Sequence, residues 1–527
     1  MAATAATSDA TERTPLLDST SSPTSAPPPS RANFHRLLLT TLLLATAFTY
    51  TASTLLYSFH AIICEVYYED GKGREWHGEG DRCAIPAVDS WAAKEISFMV
   101  TLTTVAGVFN LITTGWVTQR FGIRQAMLWQ SAFPILRNLC QIWGIIRGGL
   151  TGIRVLQLTQ LLTIGGGGAG YMLTGNTYCS ELVAPEERTV AFGRLQGTQM
   201  LGTAIGLMVG GVLGARVHLI APFLAALVSL ILSTFVNAFF LPYIPPAKAS
   251  SADGKSSGMF APVRLFTPRK VATGRFFGLT FLAIGSFVSV FASSFVPLLL
   301  QLVGTNQYGF KSDLNGYLMA LASLSRAVFL SILFPRIISA GRTWYASAPA
   351  PAPAAAPSPP PETHIPTTAA EIEPLEPTIP GDPVVEPAPV PPATTEVKGS
   401  HFDLVFLRLS ILLDAVLTAL IPFASQGWHL FLAAGIIPLA SGTAPAAKGV
   451  VLEMTEKHEH ADSLQGIALF ETLAMMCTVS ASGIVFAKLS EIGRPLDTFL
   501  FNAASALLAF LVLLCVRFPP TTKPSPA

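Results

Sequence analysis

Apolar residues in this chain fall into long blocks, with polar residues gathered in the gaps between them. The blocks run at 36–59, 93–117, 125–146, 154–178, 192–214, 217–241, 275–303, 314–338, 402–424, 428–450, 464–487 and 496–516. A helix needs roughly 20 mostly apolar residues to cross a bilayer. In lipid the backbone must satisfy its own hydrogen bonds, so runs of this length predict helices. The pattern predicts an all-α integral membrane protein of twelve transmembrane helices, six on each side of a polar segment at 242–274. The first block does not read as a signal peptide. It is long, it follows a polar arm, and no small-residue cleavage site follows it.

Composition sharpens this reading. Only 12% of the 527 residues are charged and 50% are hydrophobic, with a mean hydropathy of +0.51. Soluble chains average about 25% charged residues. The net charge of +1 says nothing about partners, and no basic tract suits a nucleic acid. With the N-terminus inside, twenty Lys and Arg fall on the inner side and nine on the outer side. That bias predicts both termini in the cytosol.

Between and around the blocks the chain divides further. Residues 1–35 are a polar arm too poor in apolar groups to build a core, and 36–241 and 275–341 with 402–516 carry the helices. Residues 342–401 are a Pro-rich cytosolic insertion of extended character, and 517–527 form a cytosolic tail. The run Glu12-Arg13-Thr14-Pro15-Leu16-Leu17 has the form of an acidic dileucine sorting signal, so the predicted location is the cell membrane, with the vacuolar membrane as the alternative. Cys64 and Cys83 share the first outer loop, and that side is oxidising if extracellular or lumenal, so a disulfide between them is predicted. Cys140, Cys179, Cys477 and Cys515 fall in or at the ends of blocks and read as packed thiols.

Two motifs carry a family resemblance. Gly115-Trp116-Val117-Thr118-Gln119-Arg120-Phe121-Gly122-Ile123-Arg124 is a basic glycine turn between the second and third blocks. It is similar to the G-x-x-x-D-R-x-G-R-R signature of the major facilitator superfamily, with Gln119 in place of the acid. Gly202, Gly206, Gly210 and Gly211 in the fifth block resemble the superfamily's antiporter pattern, with Leu207 in place of proline. Glycines four apart form a groove for close helix packing. The resemblance implies two six-helix bundles with alternating access around a midplane cavity. It also implies that Glu181, at the end of the fourth block and followed by Arg188, pairs with Arg120 or Arg124 as a gate. The first outer loop looks like that of a fungal branch, and other features are similar to drug:proton antiporters and to folate- and tetracycline-transporter-like branches.

Charges inside transmembrane helices are expensive and are functional candidates by default. Here these are Arg137, Arg154, Arg326, Arg408, Asp414 and Glu471. Helix 9 is peripheral in the superfamily, so Arg408 and Asp414 are expected to pair structurally. Helices 4, 8 and 11 line the cavity in relatives, so the resemblance places Arg154, Arg326 and Glu471 on the pathway, with Glu471 as the proton-carrying carboxylate. Gln157 and Asn176 are expected either to bond a neutral solute or to bond between helices. Gly165–Gly168, Gly170 and Gly175 imply tight packing or a locally unwound helix 4. Glu456-Lys457-His458-Glu459-His460 has metal-ligand residue types but reads as a solvated loop, and no metal is predicted.

With no P-loop or ATPase domain, the energy source is expected to be the proton gradient rather than a cofactor. The expected partners are a small organic substrate, protons and the lipid bilayer, and the expected state is a monomer, not an enzyme. The first functional reading is proton-coupled efflux of a small organic compound such as a fungal secondary metabolite. Proton-coupled uptake of a nutrient or cofactor is the second. A non-transporting membrane sensor is the third.

Overall fold

A computed structural model describes residues 31–69, 83, 86–243, 261–271, 274–310, 312–347 and 393–519. The arm with Glu12–Leu17, most of the insertion and most of the tail lie outside the described residues.

Twelve helical spans cross the molecule. Span 1 is Arg31–Tyr50 continued by Ala52–Glu69, span 2 is Pro86–Phe121 and span 3 is Ile123–Arg147. Span 4 is broken into Gly149–Leu158, a tighter turn at Thr159–Ile164, and Gly168–Leu182. Span 5 is Arg188–Arg216 and span 6 is Ala221–Phe239. Span 7 is Gly278–Ser293 with Val296–Tyr308. Span 8 is Ser312–Val328, a π-turn at Phe329–Leu333, and Phe334–Ser347. Span 9 is Ala393–Leu420, and span 10 is Gly427–Ile436, a tight turn at Ile437–Ala440, and Thr443–Met454. Spans 11 and 12 are His460–Glu491 and Thr498–Leu514. Outside the spans, a two-stranded antiparallel ribbon pairs Arg269–Val271 with Gly274–Phe276 just before span 7.

Ten of these segments are long and apolar enough to cross a bilayer by themselves. Spans 3 and 4 fall short for different reasons. Span 3 carries Gln130, Asn138 and Gln141, all buried against protein. Span 4 is interrupted. Backbone that leaves a helix at membrane depth is tolerated only where protein or water satisfies it. Here side chains do so. Gln130 Oε1 accepts from the Gly167 amide at 2.8 Å, and Asn110 Oδ1 accepts from the Gly170 amide at 2.8 Å. The Ile164 carbonyl accepts from Thr113 Oγ1 at 2.6 Å. Gln130 Nε2 in turn donates to Thr114 Oγ1 at 2.7 Å. The glycine run is tightly packed as expected; the helix is also broken there, but the freed backbone is bonded by side chains rather than exposed to a substrate as the alternative reading had it. A Cβ on Gly166 would lie 2.6 Å from the Trp129 carbonyl oxygen.

The two halves pack alike. Span 1 lies on spans 5 and 6 as span 7 lies on spans 11 and 12, and span 3 lies on span 6 as span 9 lies on span 12. The halves meet where span 5 crosses spans 8 and 10, and where spans 2 and 4 cross span 11. Gly202, Gly206 and Gly210 form the seam between spans 5 and 1. Cβ atoms there would meet the Leu42, Thr46 and Tyr50 carbonyl oxygens at 2.8, 2.6 and 2.4 Å. Gly211 has nothing within 4 Å of that position and so is no part of the seam, a correction to the four-glycine ridge. The physical reason is rotation: glycine 211 lies one residue, about 100°, around the helix from Gly210.

Candidate transport cavity and its closed end

A cavity of about 420 Å³ lies among spans 5, 7, 8, 9, 10 and 11. Its wall comes almost entirely from the C-terminal half, with only Gln196 and Met200 of span 5 from the other half. Span 7 contributes the hydroxyls of Ser286, Ser289, Ser293 and Ser294. Four charged side chains line the same space: Arg326, Asp414, Lys448 and Glu471. Lys448 Nζ stands 3.4 Å from Glu471 Oε2, with both side chains largely buried. Arg326 and Asp414 face each other electrostatically but lie beyond ion-pair distance.

The cavity therefore brings together Arg326 and Glu471 as expected, and adds two residues that the sequence reading placed elsewhere. Lys448 had counted as an inner-end residue. After the tight turn at Ile437–Ala440 the last helix of span 10 runs on to Met454, which leaves Lys448 inside the helix and in the cavity wall. Asp414 had been expected to pair structurally with a peripheral partner. Its carboxylate instead lines the cavity. Arg408, six residues earlier, points the other way and donates to the Leu513 and Val516 carbonyls at 3.0 and 2.8 Å. It caps the end of span 12, where a cation is favoured by the helix dipole.

Three residues expected on the pathway lie away from this cavity. Arg154 pairs with Glu95 at 3.3 Å and is exposed. Gln157 Nε2 donates to Glu95 Oε2 at 2.6 Å. Both belong to the first helical piece of span 4, near the bonded Cys64 and Cys83 sulfurs. The break in span 4 keeps that piece apart from the piece that carries Asn176, which is buried between helices.

The halves are joined by hydrogen bonds at one end. Arg342 Nε donates to Asp403 Oδ1 at 2.9 Å, and its Nη2 also bonds Asp403. Across the boundary, Thr189 Oγ1 donates to Asp403 Oδ2 at 2.5 Å, and Arg342 Nη1 donates to the Glu186 carbonyl. Asp403 is wholly buried. Beside this knot, Gln119 Nε2 donates to Asp462 Oδ1 at 2.8 Å and Gln465 Nε2 to the Leu111 carbonyl at 3.1 Å. Gly115 leaves room for this amide, since a Cβ there would lie 2.1 Å from Gln465 Oε1 and push that side chain aside. Gly122 has φ +89° at the turn into span 3, a conformation that favours glycine.

The expected gate of Arg120 or Arg124 with Glu181 is not formed. Arg120 is exposed, and Arg124 reaches the Ala238 carbonyl at the end of span 6. Glu181 sets its charge against Arg188, whose Nε donates to the Ser180 carbonyl at 3.2 Å. The turn between spans 2 and 3 directs Arg124 to the Ala238 carbonyl, and Arg188 lies near enough to Glu181 to feel its charge without forming an ion pair with it. The corresponding position in the second half, Arg342, does the closing. Its signal in sequence was faint: Gly341-Arg342 lies in the last helical piece of span 8, much as Gly122 and Arg124 lie just past span 2. For the Glu456–His460 run, among the described residues no three ligands come together for a metal.

Comparison with known proteins agrees with this architecture. The sequence profile described as Major Facilitator Superfamily matches residues 24–361. A relative from Psilocybe cyanescens, the "Major facilitator-type transporter psiT1", is 24% identical over 330 residues, 57% of this chain and 70% of that protein. The human organic anion transporter MFSD10 (TETRAN) superposes with a TM-score of 0.63 at 16% identity, covering 92% of this chain and 100% of that one. The E. coli fucose:proton symporter FucP gives 0.60 at 10% identity, over 93% and 100% of the two chains. At these identities the structural likenesses speak for the fold alone.

Proposed function

Because the chain belongs to the Major Facilitator Superfamily, and is thus a multi-pass membrane transporter and not an enzyme, we propose that it exports a small organic compound in exchange for protons. The observation that carries the reading is the Lys448–Glu471 pair in the cavity wall. Burying a charged pair in a helix bundle costs desolvation that the pair's attraction only partly offsets, and such charges are functional candidates by default. Protonation of Glu471 releases Lys448, and the freed ammonium changes what the cavity holds. That couples occupancy to the proton gradient without any cofactor. The knot of Arg342, Asp403 and Thr189 supports an outward-facing state with the cytosolic side shut, if both termini are cytosolic as the Lys and Arg bias argues.

Export is favoured over uptake by the seam glycines Gly202, Gly206 and Gly210, which match the antiporter pattern. The test compares metabolites in cells and medium with and without the gene, in the plasma or vacuolar membrane where the protein resides. One compound or a small set is expected to build up inside when the gene is lost, and a protonophore is expected to mimic the loss. Build-up outside instead would replace export with uptake. No change in either compartment, or indifference to the protonophore, would remove proton-coupled transport.

A further inference from the structure

The four charges of the cavity form two pairs in different states. Lys448 and Glu471 are in contact at 3.4 Å. Arg326 and Asp414 face the same space and feel each other's charge, yet neither side chain makes a hydrogen bond or ion pair among the described residues. Asp414 is buried at 6% exposure, in a helix that crosses the bilayer. A guanidinium offers five donors and a carboxylate four acceptor sites, and buried groups of this kind are normally satisfied. An open pair in a low-dielectric wall is a poor resting arrangement for the protein alone.

The positions explain why the pair stays open. Arg326 ends the first helical piece of span 8, three residues before the π-turn at Phe329–Leu333. π-turns re-aim the side chains around them and recur at functional sites. The turn is pinned by span 5: a Cβ on Gly197 would lie 2.4 Å from Ser331 Oγ, and one on Gly193 2.3 Å from the Phe334 ring. Asp414 lies on span 9, which is anchored elsewhere by Arg408 on the end of span 12 and by Ser410 Oγ on the Ala440 carbonyl at 2.7 Å. The helix under each partner is thus held by its own scaffold.

We propose that Arg326 and Asp414 form a dipolar clamp, and that the solute carried in this cavity is a zwitterion, its anionic group on Arg326 and its cationic group on Asp414. This deepens the export reading and rests on it for the word carried, but the binding itself does not depend on direction or coupling. A zwitterion completes both open groups at once. A cation alone leaves Arg326 unmatched, and an anion alone leaves Asp414 unmatched. The cavity's 420 Å³ falls in the range of small-molecule sites. The serine hydroxyls of span 7 can bond the uncharged middle of such a solute, and the net charge of the wall remains zero.

The test uses the purified full chain in detergent and reads thermal stability. The probes are ω-amino acids of four to eight carbons, each beside the alkylamine and the carboxylate of equal length. At least one amino acid is expected to raise the unfolding midpoint at a concentration where neither single-charged homologue does. Arg326→Gln and Asp414→Asn are each expected to abolish that shift. Should either single variant fold poorly, the exchange R326D/D414R restores the pair with reversed polarity and is expected to keep the zwitterion preference. The proposal is overturned if an amine or a carboxylate stabilises as well as the amino acid. It is equally overturned if no amino acid stabilises, or if the shift survives both single variants. A positive binding result with no proton-dependent export would sink the transport reading and leave the clamp standing.

Discussion

Spans 3 and 4 of the first half and spans 8, 9 and 10 of the second solve the same problem in opposite ways. Both regions interrupt a transmembrane helix. At the span 4 break, Asn110, Thr113 and Gln130 bond the freed backbone and one another, and Arg137 Nη1 donates to Thr163 Oγ1 at 3.1 Å. At the span 8 and span 10 turns, the surrounding side chains are charged and face a cavity. Neutral amides can be closed off inside protein at little penalty once paired. Charges are costlier to close off, and those of the cavity remain where a solute or a moving partner can meet them. The first half reads as scaffold at this depth, and the second as the working surface.

The comparison breaks most severely if Glu471→Gln leaves transport intact. That variant is expected to reach the membrane, to lose accumulation against a gradient altogether, and to retain exchange of substrate for substrate. Unchanged pH-dependent accumulation in vesicles would make Glu471 structural and move the working surface elsewhere.

Asp403→Ala comes next. It strips the partner from Arg342 and Thr189 at the closed end, and removing one member of a buried pair costs about 3–5 kcal/mol. Unfolding in detergent should shift to correspondingly lower temperature. Labelling of a cysteine placed at the closed end should rise as the halves part. Wild-type labelling and stability would show that the knot is incidental.

Gln130→Leu tests the scaffold. It leaves the Gly167 amide and Thr114 without their partners, at about 1–3 kcal/mol for each buried group. Stability is expected to fall while binding preference in the second-half cavity is kept. A changed ligand preference with normal stability would mean that the span 4 break belongs to the pathway.

The smallest effect separates two neighbouring glycines. Gly210→Ala forces a methyl against the Tyr50 carbonyl and is expected to destabilise by about 1–3 kcal/mol through overpacking. Gly211→Ala meets open space and is expected to be neutral or slightly stabilising, because alanine favours helix. Equal effects at both sites, measured by thermal unfolding, would remove the one-sided seam.

The amino-acid sequence by itself determined the twelve spans, their division into halves, the glycine turn at Gly122 and the seam at Gly202, Gly206 and Gly210. These are local matters. Twenty apolar residues in a row are a helix in lipid whatever else the chain does, and a positive φ asks for glycine at that residue alone. The resemblance of the Gly115–Arg124 turn to a superfamily signature was legible for the same reason. Which charges meet which was decided by tertiary structure. Gln119 illustrates this: as a lone substitution it looked like a lost acid, yet its amide meets Asp462 of the other half, where a second carboxylate would repel. Arg188 meets the Ser180 carbonyl, Asp403 meets Arg342 and Thr189 across the halves, and Lys448 meets Glu471 in the cavity. Each pairing depends on how far a helix is turned and how deep it sits. The breaks at 165–167, 329–333 and 437–440 reset both quantities. Hydropathy leaves little trace of such breaks, since a tight turn or a π-turn can be as apolar as the helix around it, and so the residues of the cavity were visible as charges but not as partners.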